Sequence, residues 1–305
     1  MSKAIMITGC QRSGTNLLNL ILDSHPQVQG LDEMDLFHWE VIGETRTDAQ
    51  PDDITVKDME KLMDVDDRIA THLADPEHPA YVSFQLPPYA SNLNFLRSLA
   101  SEMHILWCLR NPRDVVASML KFQIPFERSR SVSSELESNV EVLPWSIHPA
   151  AEIEIDKALP HMSQLVRQEL SAHFENYHNI RHKSLRERTR QDAVFMAAFC
   201  WRLKNELVLV YEHEHLPYRI IRYEQIIREP KQEIEKVLEY LDLPWDENVL
   251  HHHESHTGLV SGQTDAARPI DATNVNKWKG ALADTELAVI QDVTSSLASQ
   301  FGYPV

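Results

Sequence analysis

Runs of apolar residues on successive positions alternate along this chain with segments whose apolar residues recur at helical spacing. Ile5-Met6-Ile7 fits a strand buried on both faces. It gives way to a small-residue turn, Gly9-Cys10-Gln11-Arg12-Ser13-Gly14, after which leucines from Leu17 onward predict a helix. His104 to Leu109 repeats the strand pattern. Asn111 and Pro112 then supply an N-cap and a first helical residue, which puts Ser118 about two turns into the next helix. Ala193 to Tyr211 is a long apolar-periodic segment, and residues 230 to 241 place Ile234, Val237, Leu238 and Leu241 on one packing face. Residues 44 to 79 are acidic and predict surface helices and loops. Residues 123 to 190 carry the polar run Ser129 to Asn139 and a predicted helix around Met162 to Tyr177. The expected architecture is α/β, a parallel sheet flanked by helices, in one domain spanning residues 1–305. The insertion at about 123–190 is expected to form a lid or wall above the sheet ends.

The first turn has the composition of an anion site, because glycines let the backbone bend close to a phosphate while the first helical amides point at it. A nucleoside-triphosphate loop reads GxxxxGK[ST]. Counted from Gly9, Gly14 is in place, but Thr15 and Asn16 stand where the lysine and the magnesium-binding hydroxyl belong. The cation sits inside the loop at Arg12, suited to fork onto phosphate oxygens. Arg110 falls at the C-terminal end of the second strand, the edge where open parallel sheets bind ligands. Two anion sites on one sheet edge suit a nucleotide phosphorylated at both 5′ and 3′ positions.

The pairing of Arg12-Ser13-Gly14-Thr15 with Arg110-Asn111-Pro112-Arg113-Asp114 and Ser118 resembles the signature of the sulfotransferases that use 3′-phosphoadenosine 5′-phosphosulfate (PAPS). The nearest likeness is to the tyrosylprotein and bacterial natural-product branch. The resemblance implies a P-loop-like fold with helical insertions forming the acceptor site, and PAP as the nucleotide product. By it, Arg12, Ser13, Gly14, Thr15 and Asn16 match the 5′-phosphosulfate loop, and Arg110 and Ser118 match the 3′-phosphate site. Tyr223, in Arg222-Tyr223-Glu224, takes the adenine-contacting role, and Lys277, Trp278, Lys279 and Gly280 match a late segment that closes over the nucleotide. His25-Pro26-Gln27-Val28 resembles the family's helix end, and the spacing from it implies Glu33 as general base, flanked by weaker candidates Asp32 and Asp35. Arg12 is the implied catalytic cation. Many relatives carry a His or Lys on the strand before the 3′-phosphate strand, where this chain reads Val82-Ser83-Phe84-Gln85-Leu86-Pro87. Neither is present, which leaves Arg12, with Lys277 or Lys279, at the leaving group.

A net charge of −17 argues against nucleic-acid or anionic-membrane partners, and it requires Arg12, Arg110, Arg113, Lys277 and Lys279 to concentrate positive charge locally. The same balance favours a neutral or cationic small-molecule hydroxyl or amine as acceptor, such as a guanidinium alkaloid. No apolar stretch reaches membrane-span length and the chain enters its first strand at once, so a cytoplasmic protein is expected. Cys10, Cys108 and Cys200 have no metal-type spacing and read as reduced core thiols. His251-His252-His253-Glu254-Ser255-His256 is expected to be a polar loop beside the active site rather than a metal centre, with one histidine able to line the acceptor pocket or act as base. Phe37, His38, Trp39, Phe84 and Trp145 are further pocket-lining candidates. The competing classes are a P-loop kinase or NTPase, disfavoured by the missing lysine, and a non-catalytic PAP-binding protein, disfavoured by Glu33.

Overall fold

The computed structural model describes residues 2–31, 71–121 except 76, 78 and 100–102, and 147–304 except 185, 186 and 261–263. Glu33, Asp32, Asp35, Phe37, His38, Trp39 and Trp145 lie outside the described residues. Five parallel strands form the central sheet in the order β2-β3-β1-β4-β5. They are β1 (Lys3–Gly9), β2 (Val28–Leu31), β3 (Tyr81–Gln85), β4 (Met103–Leu109) and β5 (Tyr218–Arg222).

Strand side chains alternate between two cores, as a pleat of period two demands. Ala4 and Met6 of β1, Val82 and Phe84 of β3, and Ile105, Trp107 and Leu109 of β4 face one side. Ile5, Ile7, Leu106, Cys108 and Ile221 face the other. On the first side pack α3 (Pro112–Lys121), α4 (Ile147–Ala158), α7 (Arg190–His213) and α11 (Asp284–Gln300). On the second lie α1 (Thr15–Asp23) and α9 (Pro230–Tyr240), which uses the Ile234, Val237, Leu238 face read from sequence. Remaining helices are α2 (Leu93–Leu99), α5 (Gln164–Glu169), α6 (Ser171–Arg181), α8 (Tyr223–Arg228) and α10 (His252–Ser255). Strands β6 (Leu259–Val260) and β7 (Thr264–Asp265) make a small hairpin.

The 24-residue α7 starts at a reciprocal cap between Thr189 and Asp192 and is buried along most of its length. Its polar residues are therefore spoken for. Trp107 donates its ring N–H to Asn205 Oδ1 at 3.0 Å, and Trp201 donates to the carbonyl of Arg110, also at 3.0 Å. Lys204 is buried against Glu154 of α4 and the carbonyl of Pro87 just past β3. These contacts tie the strand ends that carry the site to the longest helix.

Two expectations are corrected. The single helix predicted over Met162 to Tyr177 is two, broken at Leu170, because the Ser163 hydroxyl caps α5 at Val166 N–H and Leu170 leaves helical geometry. The histidine run is not a loop: residues 252 to 255 form a helical turn. Phe84, a candidate for either core or pocket wall, is fully buried in the first core.

Candidate active site

Because all five strands are parallel, the ends of β1, β3 and β4 and the exit of β2 share one edge, and the candidate residues gather there. The turn after β1 needs its glycines. Gly9 has φ 133°, and a Cβ there would collide with the carbonyl of Cys108 on β4. Gly14 has φ 96°, and a Cβ there would lie 2.5 Å from the Tyr223 ring. Gly14 is also the N-cap of α1 and supplies no side-chain cap, the kind of helix start that suits an anion.

Arg12 adopts φ 68°, a left-handed conformation that a residue with a Cβ occupies at a cost of about 1–2 kcal/mol. In this conformation its side chain reaches α3. Arg12 Nε donates to Ser118 Oγ at 3.1 Å, so the loop cation and the serine two turns into α3 are in direct contact. Arg110, 6% exposed, donates through Nη1 to the Arg12 carbonyl at 2.9 Å and through Nη2 to the Asn274 carbonyl. Its guanidinium lies 4.2 Å from the centre of the Tyr223 ring. Tyr223 is not the last residue of β5 but the first of α8. Its ring is wedged under Gly14 and against Arg110.

Two polar atoms in this cradle have no hydrogen-bond partner among the described residues: Ser13 Oγ and Arg110 Nε, both buried. Leaving such groups unsatisfied costs roughly 1–3 kcal/mol each. A hydroxyl, a guanidinium N–H and a helix start at one glycine turn fit phosphate oxygens. The donor set thus suits a phosphorylated nucleotide.

Basic residues crowd the site despite the acidic chain. Burial, and then the charges of Arg268, Lys121 and Arg110, hold the Lys277 ammonium below the usual lysine range. The Trp278 ring lies within cation–π reach of Arg113 at 5.1 Å and Lys279 at 5.7 Å. Gly280, with φ 81°, closes the turn of this segment. Arg268 and Lys121 were not singled out from sequence; nothing in their local pattern separates them from other surface cations.

Gln85 ends β3, 3% exposed, and donates to Thr15 Oγ1 at 3.0 Å, while Thr15 donates onward to Asn16 Oδ1 at 3.3 Å. An uncharged amide therefore braces the phosphate turn at the strand end where a His or Lys was sought. Next to it, Asn19 holds the Leu31 carbonyl at 3.1 Å and accepts from Ser83 at 2.8 Å. This pair fixes the end of β2, from which the chain departs toward residue 33. In the Arg222-Tyr223-Glu224 run the glutamate is structural: Glu224 accepts from the Asn111 N–H and from the Tyr303 hydroxyl, both at 2.9 Å.

The three cysteines are free and buried. Burial pushes the thiols of Cys10 and Cys108 up, which makes them poor nucleophiles. His251, His253 and Glu254 bring ligand atoms within 4.8 Å of one another, yet His251 and Glu254 are exposed. His252 of this run lies 3.1 Å from the Arg268 carbonyl through Nε2, while His256 meets Ser24 at the C-terminal end of α1. Among the described residues no helix is long and apolar enough to cross a membrane.

A sheet of this order with a glycine turn after β1 defines a P-loop-like α/β nucleotide-binding fold. The family model of the sulfotransferase domain matches residues 2–301, and the chain belongs to that family. It is 27% identical over 89 residues to protein-tyrosine sulfotransferase A of Caenorhabditis elegans, covering 27% of this chain and 23% of that one. It is likewise 27% identical over 92 residues to the protein-tyrosine sulfotransferase of Drosophila melanogaster, covering 28% and 18%. The matched region thus spans under a quarter of each relative's length. The fold resembles the sulfotransferase domain from the curacin biosynthetic pathway (TM-score 0.55, 15% identity, covering 100% and 99% of the two chains). It also resembles that of the Synechococcus PCC 7002 olefin synthase (TM-score 0.56, 16% identity, covering 100% and 96%).

Proposed function

We propose that this protein transfers a sulfuryl group from PAPS to a hydroxyl or amine of a small acceptor and releases PAP. The observation that carries the reading is the contact of Arg12 with Ser118, with Arg110 bonded to the Arg12 backbone: two anion sites, 106 residues apart in sequence, form one continuous donor surface. A nucleotide with phosphates at both 5′ and 3′ positions matches two such sites; a 5′-phosphate alone uses one.

On this reading Ser13, Gly14, Thr15, Asn16 and the first amides of α1 hold the 5′-phosphosulfate. Arg110 and Ser118 hold the 3′-phosphate, Tyr223 supports the adenine, and Lys277, Trp278, Lys279 and Gly280 close over it. The acceptor oxygen or nitrogen attacks sulfur in line as the bond from sulfur to the leaving phosphate oxygen breaks. Arg12 neutralises the charge that develops on that oxygen, and Glu33 takes the acceptor's proton. Residues 1–305 act as one domain, with about 123–190 walling the acceptor. The chemistry needs no metal.

A neutral or cationic small molecule, of which a guanidinium alkaloid is one type, suits the acidic surface. The protein-tyrosine relatives make a tyrosine hydroxyl the second acceptor class. Sulfur-labelled PAPS offered with panels of both, in the presence of EDTA, tests the reading. Labelled product is expected, and Glu33→Gln should lower kcat by about 10²–10⁴-fold on a hydroxyl acceptor without weakening PAP binding. Strict dependence on a divalent metal, or full turnover by the variant, contradicts it.

A further inference from the structure

Asp114 is the third residue of α3, a position from which an acidic side chain ordinarily turns back to cap the N–H of its own helix's N-cap residue. Here that N–H, on Asn111, is taken by Glu224 at 2.9 Å, and the Asn111 side chain caps Arg113 N–H at 2.9 Å. The Asp114 carboxylate, 1% exposed, is released for other work. Its Oδ2 accepts the Asn276 N–H at 2.8 Å and its Oδ1 the Trp278 N–H at 3.1 Å. The second amide belongs to the segment proposed above to close over the nucleotide, and the first immediately precedes it.

Other contacts of the same turn converge on that segment. Arg110 holds the Asn274 carbonyl and Arg113 lies over the Trp278 ring. Asn276 takes φ 60°, so the backbone bends sharply where Asp114 grips it, and Lys279 N–H returns to the Asn276 carbonyl at 3.1 Å. Between the two gripped amides sits Lys277, the residue drawn in among Arg268, Lys121 and Arg110. A buried carboxylate binding alternate amides fixes the residue between them.

We infer that Asp114 is a positioning residue that latches segment 274–280 over the nucleotide and so sets how fast PAP leaves. The inference rests on the PAPS reading for its ligand, but the latch itself can be measured without one. Asp114 touches no reacting atom. Its loss should therefore raise the KM for PAPS and speed PAP release.

The test combines amide hydrogen exchange with stopped-flow release of PAP. In the wild-type protein, without nucleotide, the Asn276 and Trp278 amides are expected to be protected relative to that of Lys277. Asp114→Asn keeps the side-chain volume but replaces one acceptor oxygen with a donor; it should expose at least one of the two amides and raise the PAP dissociation rate at least tenfold, with Asp114→Glu recovering part of the effect. Unprotected amides in the wild-type protein overturn the latch whether or not the variant folds, as does an unchanged PAP release rate in a folded variant. Wild-type protein with protected amides that fails to bind PAP overturns the nucleotide reading instead, and with it the assigned role in release.

Discussion

Gly14 shows how much one missing side chain decides. Its φ of 96° and the 2.5 Å approach of Tyr223 both exclude a Cβ. Gly14→Ala should therefore cost about 1–3 kcal/mol in denaturant unfolding. Combining it with Tyr223→Ala should return the part due to the clash but not the part due to φ. Additive losses in this cycle would contradict the packing described. At this scale the sequence was informative where chemistry and spacing coincide: the glycines, Arg12, Arg110 and Ser118 are recognisable because few other roles combine those residues with strand ends. It was silent on the contacts of Gln85 and Asp114 and on Arg268 and Lys121 altogether. Their partners lie 70 or more residues away for Gln85 and Asp114, and only the closed fold brings them together.

Strands and helices were legible to the extent that one periodicity dominated. β1 and β4 stand out because both of their faces are buried, and α9 because one face is. α7 reads only as a long apolar-periodic segment, since it is buried nearly all round. What periodicity cannot convey is which polar residues the fold buries, and Lys204 on α7 is the strongest instance. Its ammonium and the Glu154 carboxylate are almost fully enclosed, which stabilises the junction of α4, α7 and the end of β3 only while both charges are present. Lys204→Met leaves a buried carboxylate alone and should lose about 3–5 kcal/mol. The double variant Lys204→Met/Glu154→Gln should recover much of that loss. A single variant as stable as wild type would show that the pair contributes nothing to the junction.

For the whole molecule, charge is divided rather than averaged. A chain of net charge −17 still gathers Lys277, Arg268, Lys121 and Arg110 close enough to influence one another. pH acts at His252, which is fully buried and bonded through Nε2 to the Arg268 carbonyl at 3.1 Å. Burial brings its pKa down to about 4 from 6.5. The unfolded chain thus binds a proton that the folded one refuses, so His252 takes stability away as pH falls from about 6.5 toward 4 and costs nothing above that window. Unfolding free energy measured from pH 7.5 to 4.5 should drop less steeply in His252→Gln than in wild type; equal slopes would contradict the buried neutral ring. The central claim is that Arg12, Arg110 and Ser118 form one site for two phosphates, and calorimetric titration with PAP and with 5′-AMP tests it most directly. PAP should bind clearly more tightly, and Arg110→Ala should remove roughly 1.5–3 kcal/mol, about one to two decades, of PAP affinity. Equal affinities for the two nucleotides, or an Arg110→Ala variant that binds PAP as tightly as wild type, would contradict the account.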